Sequence, residues 1–156
     1  MQIYSQLLFN EPIESETQKM IKRTQITNLN LFEKIETFET GEFGAILRIE
    51  EKSTGNLFVA KIFNNTYENK SNIKREIEIL QLDHPSISKL YGFSPFDFDN
   101  NRRPVIITNF YSNCTLRQVL DLRRSTENLP AWSSTKKLIN IYGIASAMSF
   151  LHSHQI

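Results

Sequence analysis

The feature that most restricts the fold of this chain is a lysine inside an apolar run, Leu57-Phe58-Val59-Ala60-Lys61-Ile62-Phe63. Alternation puts Leu57, Val59, Lys61 and Phe63 on one face of a strand, and Phe58, Ala60 and Ile62 on the other. An ammonium group on such a strand is costly unless an anion meets it. Two candidate anions lie nearby in sequence. Upstream, Thr40-Gly41-Glu42-Phe43-Gly44 is a glycine turn able to hold phosphates; downstream, a helical segment carries Glu76, able to form an ion pair.

The flanking segments extend this pattern. Leu31–Phe38 reads as a strand, Glu39–Gly44 as a turn, and Ala45–Glu51 as a second strand. Lys52-Ser53-Thr54-Gly55-Asn56 is a turn in which Gly55 supplies a positive φ, so the lysine strand completes an antiparallel meander. Asn64–Glu68 is a polar connection, and Ile73, Ile77 and Leu80 recur at helical spacing within Asn69–Leu82. Pro85 stops that helix. Ile87–Phe93 and Val105–Phe110 read as two further strands, joined across an exposed turn at Asp99–Arg102.

Thr115–Arg124 is a helix opened by a threonine cap. A polar loop with Pro130 precedes a long helix, Ser133–His152, whose Leu138, Ile141, Ile144, Ala145, Met148 and Leu151 form a wide apolar face expected to be core. Gly143 and Ala145 would let another backbone come close. Residues 1–30 are mixed and polar, and read as a leader or the end of a preceding segment, with a short helix near Thr17–Arg23.

Composition narrows the class. With 40% hydrophobic and 22% charged residues the chain is a folded protein rather than a disordered one. A net charge of +1 gives no reason to expect nucleic acid or an anionic membrane as partner. Cys114 is the single cysteine, which excludes an intrachain disulfide and suits a reducing, cytoplasmic setting. The N-terminus has no basic region before its short apolar run, and no stretch reaches membrane-spanning length.

Other residues have plainer readings. His84 suits a packed turn rather than a ligand site, and His152 and His154 lack a carboxylate partner for metal binding. The pairs Arg102-Arg103, Arg123-Arg124 and Lys136-Lys137 read as solvated faces, and Trp132 as a loop anchor.

Taken in order, these motifs resemble a protein kinase. Thr40-Gly41-Glu42-Phe43-Gly44-Ala45-Ile46 is similar to the kinase glycine loop, and Val59-Ala60-Lys61 to its Val-Ala-Ile-Lys strand. Arg75-Glu76-Ile77-Glu78-Ile79-Leu80 resembles the regulatory helix, and His84-Pro85-Ser86-Ile87 the turn after it. Phe150-Leu151-His152-Ser153 resembles the end of the long large-lobe helix. The resemblance implies an α+β fold: a five-stranded antiparallel sheet with one regulatory helix, then two helices of a large lobe. Residues 31–111 would be the small lobe and hinge, and 112–156 the start of the large lobe.

The same resemblance implies roles. Lys61 would contact the α- and β-phosphates of ATP and Glu76 would hold it, these two being the catalytic pair. Gly41, Phe43 and Gly44 would sit over the phosphates, with glycine allowing close backbone approach. Phe38, Ile46 and Val59 would line the adenine site, with Thr108 as gatekeeper and Asn109 and Tyr111 in the hinge. Leu80 and Leu90 match the hydrophobic spine.

Two positions depart from the family pattern. Glu39 stands at the first glycine, where a carboxylate should weaken nucleotide binding modestly, and Val59 at the usual alanine. His-Arg-Asp and Asp-Phe-Gly do not occur in the chain, so it is expected to be the ATP-binding part of a kinase. Mg2+ is then expected only with the full-length protein. The protein substrate is not legible. The alternative is a pseudokinase or a truncated kinase-like binding module. With its large-lobe neighbours missing, the long helix suggests self-association.

Overall fold

A computed structural model describes residues 27–42, 44–64, 70–113, 115–125 and 133–156. The expected helix at Thr17–Arg23, the loop residues Phe43, Pro130 and Trp132, Cys114, and most of the Asn64–Glu68 connection lie outside the described residues. The chain divides into two compact units, Met1–Leu82 with Ser88–Phe110, and Asp83–Ile87 with Tyr111–Ile156.

The first unit is built on a five-stranded antiparallel sheet. Its strands are β1 (Phe32–Gly41), β2 (Gly44–Glu51), β3 (Leu57–Phe63), β4 (Leu90–Ser94) and β5 (Val105–Asn109), in the spatial order β1-β2-β3-β5-β4. The helix α1 (Lys70–Leu80) lies between β3 and β4 in sequence. The strand around Lys61 is therefore central, flanked by β2 and β5.

Alternation along β3 separates two cores. Phe58, Ala60 and Ile62 join Leu47, Ile49, Val105 and Ile107 in one buried cluster. On the other face Phe63 and Ile106 pack with Phe93 and with Ile73 and Ile77 of α1. Each such side chain contributes roughly 1.5–3 kcal/mol when buried. Ile73 and Ile77 are four residues apart, so one helix face carries both onto the sheet. Leu80 and Leu90 pack against this second core. It is the second core that holds α1 on the face carrying Lys61.

Several boundaries differ from those read in the sequence. The strand expected to end at Phe38 continues to Gly41, because Thr40 pairs with Ala45 and Gly41 with Gly44. The glycine segment is thus mostly hairpin strand. The strand expected from Ile87 begins at Leu90, since the turn after Pro85 closes with Ile87 N–H donating to the His84 carbonyl at 3.0 Å. Helix α1 ends at Leu80 rather than Leu82.

The loop from β4 to β5 is organised by Asp97, whose side chain is fully buried. Its carboxylate accepts hydrogen bonds from the backbone N–H groups of Asp99 and Asn101, both at 2.9 Å, from Asn101 Nδ2 at 3.1 Å and from Arg103 Nε at 2.6 Å. Burial alone would raise its pKa. The hydrogen bonds from Asn101, Arg103 and Asp99 outweigh burial and leave the carboxyl below its ordinary value.

The second unit contains α2 (Leu116–Ser125) and α3 (Ser134–Ser153). Thr115 and Gln118 form a reciprocal cap at the start of α2: Gln118 N–H donates to Thr115 Oγ1 at 3.2 Å, and Thr115 N–H to Gln118 Oε1 at 2.8 Å. Ser133 Oγ caps α3 by accepting from Lys136 N–H at 3.3 Å. His84 joins its turn to α3, with Nδ1 accepting from Ser86 N–H and Nε2 lying 3.1 Å from Ser146 Oγ. Gly143 faces Ser86 Oγ, which would lie 3.0 Å from an added Cβ.

The apolar stripe of α3 is not core. None of the helix's residues is buried, and Leu138, Ile141, Ile144 and Met148 are exposed. Periodicity shows which residues share a face, but burial needs another element lying on that face.

Candidate nucleotide site

The sheet register assembles the site. Ile46 pairs with Lys61 and Lys61 with Ile106; one row along, Arg48 pairs with Val59 and Val59 with Thr108. Side chains in matching registers point to the same face, so Ile46, Val59, Lys61 and Thr108 share one surface. Residues far apart in sequence meet there because the antiparallel strands place them in adjacent rows.

Lys61 Nζ donates to Glu76 Oε1 at 2.9 Å and to Oε2 at 2.6 Å. It also lies 4.9 Å from the centre of the Phe63 ring. The pair is partly exposed, so the ammonium group stays accessible to a further anion. Glu76 sits beside Ile77, whose burial fixes the helix and so brings the carboxylate to the strand.

The β1–β2 hairpin borders a recess of about 110 Å³ lined by Glu39, Gly41, Gly44, Ala45, Ile46, Lys61 and Ile62. Its glycines differ in purpose. An added Cβ at Gly41 would meet no atom within 4 Å, which leaves the backbone there open to approach. At Gly44, φ is +139° and an added Cβ would fall 1.8 Å from the Ile62 carbonyl oxygen. Gly44 is therefore required by the packing of β2 on β3. Asn64 ties the hairpin tip down: its Nδ2 donates to the Gly41 carbonyl at 2.9 Å and to the Glu42 carbonyl at 3.1 Å.

Of the other expected site residues in the first unit, Phe38, Val59, Thr108 and Asn109 are not among those that line the recess. Phe38 is exposed and stacks on Phe110, with centroids 6.1 Å apart and planes within 10°. Asn109 ends β5 in the first unit, whereas Tyr111 belongs to the second unit. Phe43 lies outside the described residues.

Three contributors were not read in the sequence. Arg48 shares the face of Val59, lies with its guanidinium 5.7 Å from the Phe110 ring centre, and pairs with Glu36 at 3.1 Å. The alternation from Ile46 to Arg48 was the available signal. Phe110 and Asn64 left none, because both act through partners that only the folded sheet brings near.

An exposed-backbone glycine beside a reachable ammonium group suits an anionic phosphate ester such as ATP. Among the described residues no group of three or more His, Cys, Asp or Glu side chains could hold a metal ion. Among the same residues no helix is long and apolar enough to cross a membrane.

The first unit thus joins an antiparallel sheet with a central lysine, a glycine hairpin and a helix glutamate held on that lysine. Comparison with known families agrees: residues 32–156 match the protein kinase domain, and the chain belongs to the protein kinase family. It is 24% identical over 143 residues to an Aurora kinase of Saccharomyces cerevisiae, covering 88% of this chain and 36% of that protein. It is 23% identical over 141 residues to calcium-dependent protein kinase 4 of Plasmodium berghei, covering 87% of this chain and 25% of that protein. Over 74 residues, 46% of this chain and 19% of the relative, it is 36% identical to myosin light chain kinase family member 4 of Mus musculus. The chain thus spans from about a fifth to little more than a third of these relatives.

Proposed function

We propose that this chain is the ATP-binding part of a protein kinase that transfers the γ-phosphate of ATP to serine and threonine hydroxyl groups. The observation that carries this reading is the double contact of Lys61 with Glu76 beside the glycine-lined recess. In this reading Lys61 holds the α- and β-phosphates, and Glu76 keeps the ammonium in place. The Gly41 backbone approaches the phosphate oxygens, while Gly44 lets the hairpin close on β3. Ile46, Val59 and Phe38 line the base site, Thr108 sets its depth, and the backbone of Asn109 holds the base edge. When bound, ATP would supply the transferable phosphoryl group, with Lys61 and the Gly41 backbone holding its phosphates.

The test is nucleotide titration of the full chain beside a Lys61→Met variant. Binding of ATP that falls at least about tenfold in the variant, with the melt unchanged, supports the reading. Equal affinity in both would overturn the role of Lys61. In the full-length protein, transfer to serine and threonine peptides but not to tyrosine peptides tests the acceptor.

Glu39 favours a second reading, a kinase-like binding module without catalysis, because a carboxylate borders the recess. Robust phosphate transfer by the full-length protein excludes it. A cytoplasmic setting belongs to the leading proposal, on the strength of the single cysteine. Self-association through the exposed apolar residues of α3 belongs to it as well. A concentration-independent monomer in sedimentation would remove that part.

A further inference from the structure

We propose that Asn64 is a positioning residue for the phosphate end of the site, acting through the tip of the glycine hairpin. The inference rests on the nucleotide-site reading above and deepens it. Asn64 follows directly on β3 and is exposed, and no motif marks it. Yet its single amide nitrogen donates to two successive carbonyls of the tip, Gly41 at 2.9 Å and Glu42 at 3.1 Å.

The consequence follows from peptide geometry. A trans peptide is planar, so holding the Gly41 carbonyl also fixes the Glu42 N–H, which points the opposite way. Gly41 lacks a Cβ and has open space around it, so its own backbone imposes little order. The strand pairs Thr40–Ala45 and Gly41–Gly44 order the hairpin up to its tip, so without Asn64 only the orientation of the Gly41–Glu42 peptide would be left to the ligand. A prior tie removes part of this ordering cost, which is preorganisation. The same lysine strand thus supplies both the ammonium at Lys61 and, three residues on, the clamp on the loop above it.

Because the tie acts on the phosphate end, its loss should separate nucleotides by their phosphates. Titrating the full chain with ATP, ADP and adenosine reads this directly. Asn64→Ala is expected to weaken ATP and ADP about fivefold to tenfold, the range for losing one to two modest hydrogen bonds, and to leave adenosine unchanged. Asn64→Gln, which keeps the amide donor, should recover part of the loss. A purely structural role would lower the melting temperature or weaken all three ligands alike, and that result overturns the inference. Unaltered ATP affinity in Asn64→Ala, with normal binding by the unsubstituted chain, overturns it too. If the unsubstituted chain binds neither ATP nor adenosine, the nucleotide-site reading itself fails, and the inference falls with it.

Discussion

Lys61 donates to both carboxylate oxygens of Glu76, so one two-pronged contact joins the central strand to the helix lying on it. Two unit charges about 4 Å apart attract by about 4 kcal/mol at an effective dielectric of 20. Here the two side chains are 38% and 32% exposed, and solvent screening brings the stabilising effect to about 1 kcal/mol or less. The second core, not the ion pair, holds α1 in place. The ion pair decides where the ammonium points.

Glu76→Gln should therefore hurt function more than stability. The expected loss in ATP affinity is about tenfold, while denaturant unfolding changes by less than about 1 kcal/mol. A variant that unfolds by several kcal/mol yet keeps its affinity would reverse this ordering.

The two glycines of the hairpin should respond oppositely to alanine. Gly44→Ala forces a Cβ into the Ile62 carbonyl at a positive φ, and a loss of roughly 1–3 kcal/mol is expected in urea unfolding. Gly41→Ala meets open space and should change stability by less than about 0.5 kcal/mol while weakening ATP. Equal stability losses would show that the hairpin packs differently.

Glu39 borders the recess, so its charge should oppose phosphate. Glu39→Gly is expected to tighten ATP about twofold to fivefold at low ionic strength, with the gain shrinking as salt is added. A gain that persists at high salt would point to loop flexibility rather than charge.

Asp97 supplies a pH dependence. Its folded-state pKa is depressed below 3.8, so its stabilising contribution is present above the unfolded value and disappears as pH falls through the folded value. Unfolding curves between neutral pH and pH ~2 should show the unsubstituted chain losing its advantage over Asp97→Asn only below about pH 4. Near neutrality the variant should be less stable by about 1–3 kcal/mol. A constant gap across that range would refute the assignment.

Much of this was legible in the chain itself. Alternation placed Lys61 and Val59 on one face of β3, and helical spacing placed Ile73, Ile77 and Leu80 together on α1. Gly55 marked its turn, where φ is +73°. These are local properties: strand and helix periods, and the freedom of glycine at positive φ, act within a few residues and leave a direct trace in sequence. The ordered motifs also carried the family, which the match over residues 32–156 bears out.

What lies beyond one element's reach was decided by tertiary structure. Gly44 looked like a second phosphate-facing glycine, and only the approach of the Ile62 carbonyl shows that packing requires it. Asn64 reads as an ordinary connector until the hairpin folds back and its carbonyls come within hydrogen-bond distance. The stripe on α3 promised a buried face, yet a period cannot say whether a partner covers it, and Leu138 and Ile141 remain exposed. The chain alone determines which side chains share a face, because that depends on local geometry. Which faces meet, and which atoms then find partners, depends on contacts between residues distant in sequence, and those exist only in the fold.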